Sequence, residues 1–172
     1  MKKLIPLILI TGLIFTGLSA SAQKVKKVRP SPPDTVKATT KKGVDIEVAY
    51  SQPSVKGRTI GTDIAPYGKW WRLGANEVTT IVLSKDVKVE GKPLAAGKYA
   101  IYAIPGEKEW KIIFNKDITS WGTVYKEEDD VLRVTVKSAK SAAFAEQLKF
   151  MIDPAGKVGF SWGDVMVGFN VK

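Results

Sequence analysis

Residues 66–77, Pro-Tyr-Gly-Lys-Trp-Trp-Arg-Leu-Gly-Ala-Asn-Glu, hold the densest set of side chains able to bind or react. Arg72 is a planar donor, Asn76 donates and accepts, and Glu77 accepts. Tyr67, Trp70 and Trp71 add flat apolar faces of the kind sugar rings lie against. The candidate ligand-binding set is therefore Tyr67, Trp70, Trp71, Arg72, Asn76 and Glu77, with a small polar ligand or a glycan as its partner. A purely structural role competes with that reading. Neighbouring residues of an extended chain point to opposite faces, so Trp70 and Trp71 divide between surface and core if this piece is extended. An Arg72–Glu77 ion pair pinning the loop is the corresponding alternative for the polar side chains.

Composition removes much other chemistry. The chain has no histidine and no cysteine. Ser-His-Asp and Cys-His catalysis in their usual form are excluded. So are zinc sites of the His/Cys type, blue copper, and haem held by His or Cys. Carboxylates, Lys, Tyr, Ser and Thr remain for catalysis, and oxygen ligands for a hard metal ion. No cofactor, metal site or catalytic set is expected. The acidic run Glu127–Asp130 lacks the ligand-x-ligand spacing of a calcium loop and reads as a solvated turn. The enzymatic alternative is a carboxylate-dependent activity on glycans with Glu77 as acid/base. It needs a second acid across a cleft, and no spacing supports one, Asp63 included.

The formal charge is +10, yet only Arg29, Arg58, Arg72 and Arg133 of the 27 basic residues are arginine. The lysines are scattered rather than clustered, unlike a nucleic-acid interface. They read as a solubilising coat, and no nucleic-acid partner is expected.

The elements that must position the candidate residues begin after an export signal. Lys2 and Lys3 precede an apolar stretch from Leu4 to Leu18, and Ala20-Ser21-Ala22 supplies the small-x-small cleavage pattern. Order and lengths match a secretory signal peptide. The apolar core is too short for a span of about 20 residues. Cleavage after Ala22 is expected, with a periplasmic or secreted product and no membrane span afterwards. Residues 23–33, basic and proline-rich, read as a flexible linker. Residues 34–172 read as a single β domain. Val44, Ile46, Val48 and Tyr50 alternate with polar or small residues, the period of a strand with one buried face. Further strand signals fall at 35–39, 78–83, 87–90, 98–104, 110–114, 131–137, 147–152 and 159–171. Gly91-Lys92-Pro93 reads as a break, and residues 141–145 as a short helix or a strand entry. Residues 51–69 and 115–130 are long connections, the usual seat of function in a compact domain. About nine strands with turn residues between them imply an all-β antiparallel sandwich or jelly-roll.

Three stretches carry a family resemblance: Tyr50-Ser51-Gln52-Pro53-Ser54-Val55-Lys56-Gly57-Arg58, Ala65-Pro66-Tyr67-Gly68, and Trp71-Arg72-Leu73-Gly74-Ala75-Asn76-Glu77. With Gly91-Lys92-Pro93-Leu94 and Ile104-Pro105-Gly106, they resemble the secreted bacterial domain of unknown function family 2911. The likeness runs from about Asp34 to the C-terminus. Gln52 and Leu73 depart from the basic residue and the threonine usual there. The resemblance implies export and a β domain, and it implies no activity. The leading expectation is an exported, non-catalytic ligand-binding or scaffolding domain of the cell envelope. A third reading is an envelope assembly protein that recruits a partner through an edge strand.

Overall fold

The structure, a computed structural model, describes residues 29–172. The expected signal peptide, its cleavage site and linker residues 23–28 lie outside the described residues. The domain is all-β, with nine strands in antiparallel sheets and one 3-10 turn at Glu127–Asp129. The strands are β1 (Pro33–Thr39), β2 (Asp45–Ser51), β3 (Thr80–Leu83), β4 (Val87–Val89) and β5 (Lys92–Leu94). They continue with β6 (Gly97–Ile104), β7 (Glu109–Asn115), β8 (Asp130–Ile152) and β9 (Lys157–Asn170). Seven of them form one sheet in the order β1-β2-β3-β6-β7-β8-β9, and β4-β5 make a separate ribbon. No helix among the described residues is long and apolar enough to cross a membrane.

The sheet curls until β1 and β2, at one end of the order, contact β8 near the other, so its halves face one another like the layers of a sandwich. Alternation drives this. Ile46, Val48 and Tyr50 of β2 point inward and are buried, while Asp45 is exposed. Trp110, Ile112 and Phe114 of β7 join the same core, as do Phe160, Val167 and Phe169 of β9. The central strands β6 and β7 are covered on their other face too. Ala100, Tyr102 and Ile113 form a small second cluster there with Val78. Burial on both faces explains the unbroken apolar runs in these two strands.

Two differences from the sequence reading have physical causes. Lys92–Leu94 is a strand rather than a break, because Glu90 and Gly91 take positive φ in a tight turn. Pro93 is tolerated there because a two-stranded ribbon leaves one side of β5 unpaired. Residues 131–137 and 147–152 are a single strand. Residues 141–145 continue it through register shifts between Lys140 and Ala145 and between Ala145 and Lys149. Bulges of this kind bend a strand without ending it.

Candidate functional site

Residues 66–77 run along the edge of β6 beyond the point where β3 ends. Trp71 and Ala103 exchange both backbone hydrogen bonds, at 2.7 and 2.8 Å. The piece is extended, and Trp70 and Trp71 part to opposite faces. Trp71 packs against the main core. It stacks on Trp162 with ring centroids 4.9 Å apart and planes 8° from parallel, and it meets Trp110 edge-on. Trp162 Nε1 is the one buried side-chain polar atom without a hydrogen-bond partner among the described residues, so stacking rather than its N–H holds this indole. Trp70, 40% exposed, lies on the outer face against Tyr102 and Tyr125.

The polar half of the segment is clamped. Leu73 is fully buried at φ 50°, and Thr79 Oγ1 donates to its carbonyl at 2.9 Å. A Cβ on Gly74 would stand 2.6 Å from Thr79 Oγ1, so only glycine passes there. Asn76, at φ 59°, donates from Nδ2 to Ser31 O at 3.1 Å. Glu77 accepts two bonds from Arg29 Nη2 at 2.8 Å and a longer one from Ser51 Oγ at 3.3 Å. Arg29 is thus the partner of Glu77, in place of the Arg72 pairing weighed from the sequence. The Arg72 stem lies against Gly122, where a Cβ would be 2.6 Å from Arg72 Cδ. Arg72, Asn76 and Glu77 therefore gather where the linker end, residues 29–31, and the 116–126 connection dock on the domain.

Hydrogen bonding from Arg29 is the main influence on the Glu77 carboxyl and lowers its pKa. That direction keeps it ionised and runs against a general acid, which needs a raised pKa. Asp34 and Glu77 line one cleft of about 240 Å³, together with Tyr50 and Ser51. Asp34 is engaged by donors from Tyr50 Oη at 2.7 Å and Gln52 Nε2 at 3.2 Å. The described residues contain no group of three acids placed to hold a metal ion. Among residues 127–130, Arg133 pairs with Glu127 and Asp130, while Lys116 pairs with Asp129.

Tyr67 stands apart from its five companions. Its ring lies flat on Gly61, whose Cβ would sit 2.3 Å from Tyr67 Cζ, and its N–H bonds Gly61 O at 2.9 Å. From there it lines a groove of about 1130 Å³. One wall is the 55–60 stretch of the long loop. The other is the β6–β7 turn with the start of β7. Gly163, Asp164 and Val165 of β9 lie along it. Phe144 projects from the bulged part of β8 and is 64% exposed. Residue order marks Pro105–Lys108 as a hairpin turn, but it does not single out Phe144 or Asp164, which are distant from Tyr67 in the chain and share no local motif with it.

The loop wall is built rather than loose. Ser54 bridges to Gln147 on β8. Val55 N donates to Glu146 O at 2.8 Å, and Leu148 N donates to Pro53 O at 3.0 Å. Arg58 bonds inward to the carbonyls of Val55 and Ser54, at 3.0 and 2.8 Å. Asp63 caps the Thr59 N–H at 2.8 Å. Lysines 108, 137 and 140 and acids Glu107, Glu109 and Asp164 place both signs of charge around the opening.

Fold and groove together define a curled antiparallel β domain with an open cleft beside one of its strands. The chain belongs to the family described as "Protein of unknown function (DUF2911)", whose model matches residues 31–171. No curated protein and no solved structure matches it.

Proposed function

We propose that this is an exported, non-catalytic binding domain of the cell envelope, and that the groove beside Tyr67 and Phe144 is its ligand surface. The observation that carries this is the pairing of a large open groove with two exposed aromatic side chains on its rim. An exposed phenylalanine beside a concavity is a recurrent mark of an interaction site. The mixed charges of the opening suit a ligand rich in polar groups. Trp71, Arg72, Asn76 and Glu77 act in this reading as the anchor that seats the 66–77 segment, leaving Tyr67 to face the ligand. Export rests on the N-terminal pattern. N-terminal sequencing of the periplasmic protein is expected to begin at Gln23, and an intact Met1 there contradicts it.

The binding claim is tested by a thermal-shift screen of N-acetylglucosamine and glucose tetramers and of short peptides, with hits mapped by amide chemical shifts. Hits are expected to move the signals of Tyr67, Phe144 and Gly163, and to bind Tyr67→Ala at least fivefold more weakly. Hits that map to the Trp70–Tyr125 face, or that bind Tyr67→Ala unchanged, overturn it.

A further inference from the structure

The groove occupies a gap in strand pairing. β7 pairs with β8 up to the bond from Ser138 N to Lys108 O, at 2.9 Å. Beyond Lys108 the β6–β7 turn begins and β7 leaves this edge of β8. Pairing on the edge resumes only at Glu146, through the Val55 and Leu148 bonds to the loop. Residues 139–145 lie between. None of them makes a backbone bond to any element other than β9, and most are exposed. Opposite them β9 advances only from Met166 to Gly163, so at about 3.3 Å per residue this bulged edge spans roughly 10 Å of the sheet. Both flanking pieces run antiparallel to β8. An inserted strand of the same direction would join them into one continuous row.

We propose that this gap accepts a short extended polypeptide segment of a partner protein, added antiparallel to β8. The inference rests on the groove being the ligand surface and names the ligand's class. Strand addition of this kind takes affinity from main-chain hydrogen bonds and selectivity from side-chain contacts. Both are present. The edge supplies unpaired backbone N–H and C=O groups, and Tyr67 and Phe144 stand beside it to receive an apolar side chain. Arg58, Lys108, Lys137 and Lys140 line the groove together with Glu107, Glu109 and Asp164. That mixture matches a peptide bearing both charges better than a polyanion. The bulge around residues 141–144 has a second consequence. It bends the strand locally, a device that keeps an unpaired edge from joining a second copy of the same edge.

The test selects binders from a randomised ten-residue peptide library against the full mature protein. The best binder is then remade with single backbone N-methyl groups at successive positions. Strand addition requires methylation at alternate positions to weaken binding at least tenfold, with the positions between nearly silent. Amide hydrogen exchange at residues 139–145 should slow by at least tenfold on binding. Binders lost in Tyr67→Ala but indifferent to N-methylation overturn strand addition while leaving the groove as the ligand surface. Binders that map elsewhere, or a library that yields none while a glycan binds the groove, also overturn it. Concentration-dependent dimerisation through residues 139–145 would assign the edge to a second copy instead and contradict the proposal.

Discussion

The Tyr50 hydroxyl accepts the backbone N–H of Phe150 at 3.1 Å, across 100 positions of sequence. The two rings also touch edge-on, with centroids 4.7 Å apart. Tyr50 lies on β2, near one end of the seven-stranded order, and Phe150 on β8, near the other. Their contact closes the curl of the sheet. The same hydroxyl donates to Asp34 Oδ2 at 2.7 Å, so it is satisfied in both roles.

Tyr50→Phe keeps the ring and removes both bonds. It leaves the Phe150 N–H unpaired in a buried setting, which costs about 1–3 kcal/mol. A urea midpoint lowered with an unchanged slope is the expected result. A midpoint equal to wild type would mean that the ring contact alone closes the sheet.

Tyr50 also confers a pH dependence. Burial, with the bond to Asp34, pushes its pKa from 10.0 up to about 12. Below pH 10 the hydroxyl is protonated in both folded and unfolded chains. Between 10 and about 12 the unfolded chain releases the proton first, so stability falls as pH rises. The shift corresponds to a loss on the order of 2 kcal/mol. Tyr102 and Tyr125 also have raised pKa values, so the diagnostic quantity is the difference from Tyr50→Phe. The gap between wild type and variant is expected to narrow from pH 9 to pH 12. A constant gap contradicts the assignment.

Much of this arrangement is legible in residue order. Alternation at Val44–Tyr50 identifies the buried face of β2, and the adjacency of Trp70 and Trp71 implies that they separate if their piece is extended, as it is. What is not legible is made by distant partners. Residues 141–145 have no clean alternation because bulges displace them, so the 23 residues of β8 read as two pieces. The groove joins Tyr67 to Phe144 and Gly163, and no local pattern links them. Arg29 reads as part of a loose basic linker, yet it meets Glu77 at a separation of 48 residues.

The Trp71–Trp162 stack holds the 66–77 segment to the core. Trp71→Ala removes the stack and opens a cavity against Trp110. Large aromatic truncations of this kind cost about 3–5 kcal/mol in a core, and Trp71, being partly exposed, belongs at the lower end. Thermal unfolding checks this. A loss below 1 kcal/mol would show that the segment is held elsewhere.

Gly61 fixes Tyr67 against the groove. Its φ is +95°, and a Cβ would enter the Tyr67 ring. Gly61→Ala is expected to displace Tyr67 and to destabilise by about 1–3 kcal/mol through backbone strain. A crystal structure of the variant with Tyr67 unmoved would contradict that role.

The Arg29–Glu77 pair is exposed on both sides. Pairs of this kind contribute about 1 kcal/mol or less. Glu77→Gln should therefore leave the melting temperature nearly unchanged while raising the backbone mobility of residues 29–31 in NMR relaxation. A large loss of stability would instead make Glu77 a structural keystone.

In the proposed function the groove beside β8 is where this domain meets its ligand. Photo-crosslinking in intact cells tests it most directly. The photoreactive residue p-benzoylphenylalanine replaces Phe144 in one variant and Met151 in another, an exposed apolar residue of the same strand outside the groove. A discrete adduct is expected from position 144 and not from 151, and it should disappear when Tyr67→Ala is added. Equal adducts from both positions, or an adduct at 144 that survives Tyr67→Ala, would contradict the account.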